Sequence, residues 1–364
     1  MENFDNKEVE DRVNNKNPKL LKQYFSLLKE GITPETLEVI SRQATINIGT
    51  IGHVAHGKTT LVKSISGVNT NKHATEKKTT KTIHLGYANA KLYKCNVCPD
   101  KNAYRSAGSG KEDEYNCEIC KEGICKLQRH VSFVDCPGHD LLMATMLNGA
   151  AIMDSALLLV AANESCPQPQ TAEHLIAVEK MNLQNIIIVQ NKVDMVIREG
   201  SEVKAKEQYE QIKKFVRSTN AHNAPIIPIS AQFKYNIDVL LEKLCQIPVP
   251  KRDLEAPPKF IVVRSFDNNR PGTSINDLVG GSAGGTLIRG ILKVNDEIEV
   301  RPGLVERDQN NNIKCRPYIT RITTIRCEDN ELLFAIPGGL ISLGTFLDPS
   351  LTGKDRLVGN VRLK

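Results

Sequence analysis

From Thr45 to about Leu244 the chain alternates short runs of β-branched and aliphatic residues with longer stretches at helical spacing. The runs are TINIGTI, VSFVD, SALLLVAA, NIIIVQN and PIIPIS, and the helical stretches fall at 139–153, 170–181, 201–219 and 236–246. Strands joined by crossover helices predict a doubly wound, mostly parallel α/β sheet over 45–248, with ligands at the carboxyl ends of its strands. Four prolines in QIPVPKRDLEAPP then mark a linker, 249–258. Beyond it, over 259–364, FIVVRSF, GTLIRGIL, EIEVRPG and YITRITTI are short strand patterns punctuated by glycine and proline, which predicts an all-β barrel domain. Residues 1–44 are mixed in polarity and read as an N-terminal extension, with PKLLKQYFSLLKEG spaced as a short amphipathic helix. There is no internal repeat.

Composition narrows this picture. At 364 residues, with 40% hydrophobic and 25% charged content, the chain is long enough for two cores. Its polar opening, MENFDNKEVEDRVNNK, has no signal-peptide pattern and no apolar run is long enough to span a bilayer, so a cytoplasmic protein without a membrane partner is expected. Ten cysteines without a secretory signal favour buried or metal-bound thiols over disulfides. The formal charge of +6 is compatible with a polyanionic partner.

The chemistry is concentrated in four short stretches. GHVAHGKTT, Gly52 to Thr60, satisfies G-x-x-x-x-G-K-S/T between a strand and a helix. There the backbone N–H groups of Ala55, His56, Gly57 and Thr60 can cradle phosphates, Lys58 can reach the outer ones and Thr59 can ligate Mg²⁺. DCPGH places Asp135 to hold the Mg²⁺ shell, Gly138 to turn an N–H to the γ-phosphate and His139 to orient water. NKVD and SAQ end two further strands. With Asn191 and Lys192 beside it, the Asp194 carboxylate can accept the ring N–H and exocyclic amine of guanine, while Ser230, Ala231 and Gln232 offer a backbone N–H to its carbonyl. Adenine presents the opposite pattern, so GTP or GDP is the expected nucleotide. Cys95-x-x-Cys98 and Cys117-x-x-Cys120, in an insert over about 94–126, have the spacing of a structural zinc ribbon, with Cys125 a competing ligand. The intervening PDKNAYRSAGSGKEDEYN is polar and expected to be mobile.

These motifs, followed by a β-barrel, resemble the translational GTPases. Within that group, SRQATINIGTIGHVAHGKTTLVKSISG, DCPGHDLLMATMLNGAAIMDSALLLVAANESCPQPQTAEHL and GGSAGGTLIRGILKVNDEIEVRPG are similar to the gamma subunits of eukaryotic translation initiation factor 2, from about residue 38 onward. The resemblance implies a GTPase, slow alone and stimulated by an activating partner, that carries methionylated initiator tRNA to the small ribosomal subunit. It further implies an alpha subunit on the β-barrel, a beta subunit on the GTP-binding domain, and a nucleotide-exchange factor. An elongation-type aminoacyl-tRNA carrier and a GTP-bound scaffold with little hydrolysis are the alternatives. The first switch, EKKTTKTIHLGYANA, should supply a Mg²⁺ ligand, which anchoring on LGYANA makes Thr82, with Thr79 and Thr80 open. Lys81 stands where isoleucine is expected, which disturbs an apolar gate with Val54, and Ala55 stands where many translational GTPases carry Asp. The family has a second barrel after the first, whereas this sequence reaches VGNVRLK after one, so either a piece of a longer chain or a shortened form is expected.

Overall fold

The structure is a computed structural model that describes residues 6–70, 85–100, 102–139, 142–198, 200, 202–270, 272–274, 277–307 and 312–363. Two compact units result, one of Ile46–Pro250 and one that joins Met1–Thr45 to Lys251–Lys364. Three helices open the chain in the second of these, α1 (Asn6–Lys16), α2 (Leu27–Glu30) and α3 (Leu37–Ile40). The stretch expected as an amphipathic helix, residues 18–31, is helical only over the single turn of α2. Its backbone is committed elsewhere: the N–H groups of Leu21, Gln23 and Phe25 donate to the side chains of Ser41, Asn14 and Glu10. Alternate N–H groups held by side chains fix an extended path, because a helix needs those same donors for its own ladder.

The Ile46–Pro250 unit is built on one sheet. In chain order its elements are β1 (Ile46–Gly52), α4 (Lys58–Ser66), β2 (Gly86–Cys95), β3 (Tyr104–Gly108), β4 (Glu114–Asn116), β5 (Ile124–Asp135), α5 (Met143–Ala150), β6 (Ser155–Ala161) and α6 (Pro169–Lys180). Then come β7 (Asn185–Asn191), α7 (Val193–Arg198), α8 (Glu202–Val216), β8 (Ile226–Pro228) and α9 (Ile237–Gln246). The strand order is β3-β2-β5-β1-β6-β7-β8, with β4 beside β5. β1 runs parallel to β5 and β6, and β6, β7 and β8 continue in parallel. All seven residues of β1 are buried, as expected for a strand covered on both faces. On one face Ile46, Ile48, Phe133, Leu157, Leu159 and Val189 pack against Leu61, Val62 and Ile65 of α4 and Leu240 and Leu244 of α9. Because the chain leaves β1 toward β5 and later resumes on its other side at β6, the end of β1 is the sheet's switch point, the usual place for a ligand.

β2 pairs antiparallel with β5 and β3 with β2, which extends the sheet in an antiparallel edge. The polar stretch expected to be mobile supplies β3 and β4. It is pinned by Lys91, fully buried, whose ammonium donates to the Asp113 carboxylate at 2.7 Å and the Lys111 carbonyl at 2.6 Å. Tyr93 adds an O–H donated to the Glu112 carbonyl at 2.9 Å. A buried ammonium requires such partners, and they come from the loop itself.

The other unit is an antiparallel barrel of β9 (Lys259–Phe266), β10 (Ser282–Arg289), β11 (Leu292–Lys293), β12 (Glu297–Arg307), β13 (Ile313–Cys327), β14 (Asn330–Leu332), β15 (Phe334–Ala335), β16 (Ile341–Thr345) and β17 (Val361–Leu363), with a short α10 (Pro349–Thr352). The order β12-β17-β9-β10-β16-β13 closes on itself through β12 and β13. Its core contains Phe260, Leu287, Ile322, Ile325 and Phe334, together with Val9, Val13, Ile32, Val39 and Ala44 of the N-terminal segment. The segment read as an extension is therefore part of the barrel's core. Arg42, fully buried, locks it there by donating to the carbonyls of Leu21 at 2.7 Å and Glu331 at 3.0 Å and to Asn14 Oδ1 at 3.2 Å.

Candidate functional site

The loop between β1 and α4 is shaped by backbone that few residues adopt. Gly52 has φ +133°, Ala55 +62° and Gly57 +88°. Positive φ at Gly52 and Gly57 leaves no room for a side chain, since a Cβ at Gly52 would lie 2.4 Å from the Leu159 carbonyl and one at Gly57 2.3 Å from Asn191 Nδ2. Alternating left- and right-handed residues turn successive N–H groups to one side, which makes a concave anion site at the start of a helix. Lys58 lies over this loop and donates to the carbonyls of Gly52 and His53, each at 2.8 Å. Burial pushes its ammonium down to about 8 against the opposing pull of Asp135. A charge held in so dry a place binds phosphate strongly once phosphate supplies the counter-charge.

Asp135, fully buried at the end of β5, collects three hydroxyls. Its Oδ2 accepts from Thr59 and Thr70, both at 2.6 Å, and its Oδ1 from Thr50 at 2.9 Å. Thr59 and Asp135, predicted from separate motifs as Mg²⁺-shell groups, thus touch. Gly138 follows close by, and a Cβ there would meet Lys58 Nζ at 2.4 Å and the Val54 nitrogen at 2.9 Å. His139 is half-buried after it, its carbonyl accepting from the Leu142 N–H at 3.0 Å. Thr82, with Thr79, Thr80 and Lys81, lies outside the described residues.

At the ends of β7 and β8 a second loop pair meets the first. Asn191 Nδ2 donates to the His56 carbonyl at 2.9 Å, and Asn191 Oδ1 accepts from the Ala231 N–H at 3.1 Å. One amide thus ties the phosphate loop to the SAQ loop. Lys192 carries φ +63°, and Asp194 accepts from Ser230 Oγ at 2.6 Å. Gln232, two residues after that serine, is exposed. In the insert, the Sγ atoms of Cys95, Cys98, Cys117 and Cys120 all lie within 4.8 Å of one another. The closest pairs, Cys95 with Cys120 and Cys98 with Cys117, are each 3.7 Å apart, the edge length of a thiolate tetrahedron around a metal. Cys125 stays outside the set, buried opposite Cys95.

The comparisons with known proteins agree with this geometry. Residues 43–249 match the family described as Elongation factor Tu GTP binding domain. Over 350 residues, 95% of this chain and 73% of the relative, it is 59% identical to eukaryotic translation initiation factor 2 subunit 3 of Drosophila melanogaster. It is 58% identical to eukaryotic translation initiation factor 2 subunit gamma of Schizosaccharomyces pombe, over 91% of this chain and 74% of that one. The chain belongs to this gamma-subunit family. Among solved structures it resembles a bacterial selenocysteine-specific elongation factor (TM-score 0.64, 22% identity, 88% of this chain and 45% of that chain). It also resembles elongation factor SelB of Methanococcus maripaludis in complex with the GTP analogue GppNHp (TM-score 0.60, 23% identity, 89% of this chain and 55% of that chain). The chain spans about half the length of these structures, and the likeness is one of fold.

As a member of the gamma-subunit family the chain is a GTPase of translation initiation, working with GTP or GDP and Mg²⁺, and its four-cysteine cluster could hold a metal ion. Among the described residues no helix is long and apolar enough to cross a membrane. Two side chains support the loop, His56, which the sequence already places in it, and His174, which sequence reasoning missed. His56 is buried with Nδ1–H donated to the Leu159 carbonyl at 2.9 Å and Nε2 facing Glu164 at 3.1 Å, so its ring braces the scaffold and only its backbone faces the loop. Burial lowers its pKa, against the Leu159 carbonyl and Glu164. His174 of α6 accepts the Gly52 N–H at 3.0 Å. A polar residue on the apolar stripe Leu175, Ala177, Val178 was the available signal.

Proposed function

We propose that this chain is the GTP-hydrolysing subunit that carries methionylated initiator tRNA to the small ribosomal subunit in the cytoplasm, within a heterotrimer whose alpha subunit docks on the barrel and beta subunit on the Ile46–Pro250 unit. Identity above 50% to initiation-factor gamma subunits over more than nine-tenths of the chain carries the reading, and the intact phosphate loop supports it. The N–H groups from Ala55 to Thr60 bind the phosphates, and Lys58 exchanges its loop carbonyls for the outer phosphate oxygens. Asp194 accepts both guanine donors, Asn191 holds the loops in register, and a backbone N–H of the Ser230–Gln232 loop donates to the guanine carbonyl. Thr59 and Asp135 would hold Mg²⁺, with Thr82 as the switch ligand that the resemblance implies. Bound Mg²⁺ neutralises charge developing on the phosphates. Gly138 donates to the γ-phosphate, and His139 orients the attacking water and holds its proton. The paired hydroxyls on the fully buried Asp135 fit a cation site, because a carboxylate already desolvated is poised to gain a positive partner. The four thiols fit Zn²⁺, which closes the insert as a structural ribbon.

Slow turnover alone is expected because the motifs GHVAHGKTT and DCPGH supply positioning and contain no arginine, so an activating partner accelerates it and an exchange factor replaces GDP. The test is a binding competition between initiator and elongator methionyl-tRNA on the GTP-bound heterotrimer. Preference for the initiator species is expected, and equal binding would point to an elongation-type carrier.

A further inference from the structure

His174 is fully buried, yet it sits on a helix face whose neighbours Leu175, Ala177 and Val178 are apolar. Its Nδ1 accepts the Gly52 N–H at 3.0 Å, so the ring proton resides on Nε2, which has no hydrogen-bond partner among the described residues. Burying a donor without an acceptor is costly, and leucine would fill such a place without that cost. The imidazole is therefore tied to what Nδ1 does. Gly52 is where strand becomes loop, with φ +133° and the Leu159 carbonyl 2.4 Å from where a Cβ would stand. Its carbonyl is already held by Lys58 at 2.8 Å, a contact that must loosen when the ammonium turns to phosphate. The Gly52 N–H is held by His174, a group that phosphate does not displace. Burial, with Lys58 and His53 nearby, brings the His174 pKa down to about 4, which keeps the acceptor lone pair available at neutral pH.

We propose that His174 is a positioning residue of the nucleotide site: it fixes the peptide between Ile51 and Gly52 so that the loop keeps its phosphate-binding curve while Lys58 changes partners, and thereby slows nucleotide release. The proposal rests on the phosphate-loop reading above. It is tested on the full chain with a fluorescent GDP analogue, chased by unlabelled GDP, in wild type, His174→Leu, His174→Asn and His174→Gln. Asparagine carries its Oδ1 the same number of bonds from Cβ as Nδ1, whereas glutamine carries its oxygen one bond further. Release about tenfold faster in His174→Leu is expected, the loss of one buried hydrogen bond, with His174→Asn within about twofold of wild type and His174→Gln as fast as leucine. The GTP-to-XTP preference should be unchanged in all three, since Asp194 lies at another strand end. Equal release in wild type and His174→Leu would overturn the proposal. So would His174→Asn as fast as His174→Leu, which would make the role one of packing, and unfolding of the asparagine and glutamine variants alike would do the same. Failure of wild type to bind the analogue at all would instead sink the phosphate-loop reading.

Discussion

In the Ile46–Pro250 unit a set of buried polar side chains converges on the phosphate loop, whereas in the barrel unit another lies along a seam between segments 288 to 314 residues apart in sequence. His56, Asn191 and His174 hold the backbone in and beside the phosphate loop, and Asp135 gathers the hydroxyls of Thr50, Thr59 and Thr70 next to it. Asn14, Gln23, Arg42 and Gln43 instead satisfy each other and the barrel's own backbone: Gln43 Nε2 donates to the Ile336 carbonyl at 2.7 Å, and its Oε1 accepts the Ile336 N–H at 3.1 Å. The first set shapes the backbone of a ligand loop, and the second ties distant segments of one core together. Buried polarity marks a ligand site by what its hydrogen bonds shape.

Substitutions can break that contrast. The largest effect is expected at Lys58. Lys58→Ala removes a charged donor from the phosphates and should lower GTP affinity by about a thousandfold, while thermal unfolding of the barrel stays unchanged; wild-type affinity in an equilibrium titration would contradict the loop's role. Next, His139→Ala should slow activator-stimulated hydrolysis by about a hundredfold and leave GTP affinity intact, as read in a single turnover. Equal rates would reduce His139 to a switch residue without chemistry. Asp194→Asn should shift the preference from GTP toward XTP, also by about a hundredfold, because xanthine carries a carbonyl where guanine carries its amine; an unmoved ratio would show that the base is read elsewhere.

On the other side of the comparison, Arg42→Ala should cost the barrel about 3 kcal/mol by stranding buried carbonyls, measured by denaturant unfolding, with GTP affinity unmoved. A parallel loss of nucleotide binding would mean that the units are energetically coupled. The smallest effect concerns pH. Without ligand, Lys58 loses its proton as pH rises through about 8, whereas phosphate keeps the bound ammonium charged. Binding therefore takes up a proton above pH 8, and GTP affinity should fall about tenfold from pH 7 to pH 9. A flat profile would mean that the ammonium is charged before phosphate arrives.

The contrast also sets what the sequence discloses. Each nucleotide-site motif is contiguous, and its residue types follow from local demands: glycine for positive φ, lysine for phosphate, asparagine for a two-sided bridge. The strands of the parallel sheet were legible for the same reason, as apolar runs such as NIIIVQN, which is β7 to the residue. Supports that reach the loop from elsewhere were not legible: His174 comes from a helix more than one hundred residues further along, and only its partner explains it. The N-terminal segment misled most. Its leucines have helical spacing, yet Leu21, Gln23 and Phe25 spend their N–H groups on side chains. Tertiary hydrogen bonds outweighed a weak local preference.

One consequence of the N-terminal segment concerns the order of events during synthesis. Val9, Val13, Ile32 and Val39 are made before the Ile46–Pro250 unit, but the core they complete includes Leu332, Phe334 and Ile336. The whole Ile46–Pro250 unit can emerge and fold in between, since its strands pair only among themselves. Throughout that interval the first segment is a tether with unsatisfied valines, and it resembles a client for a holding chaperone rather than a folded part. The segment made before the Ile46–Pro250 unit thus finds its place after it, and slowing translation past Pro250 should lengthen its exposure without delaying the nucleotide site.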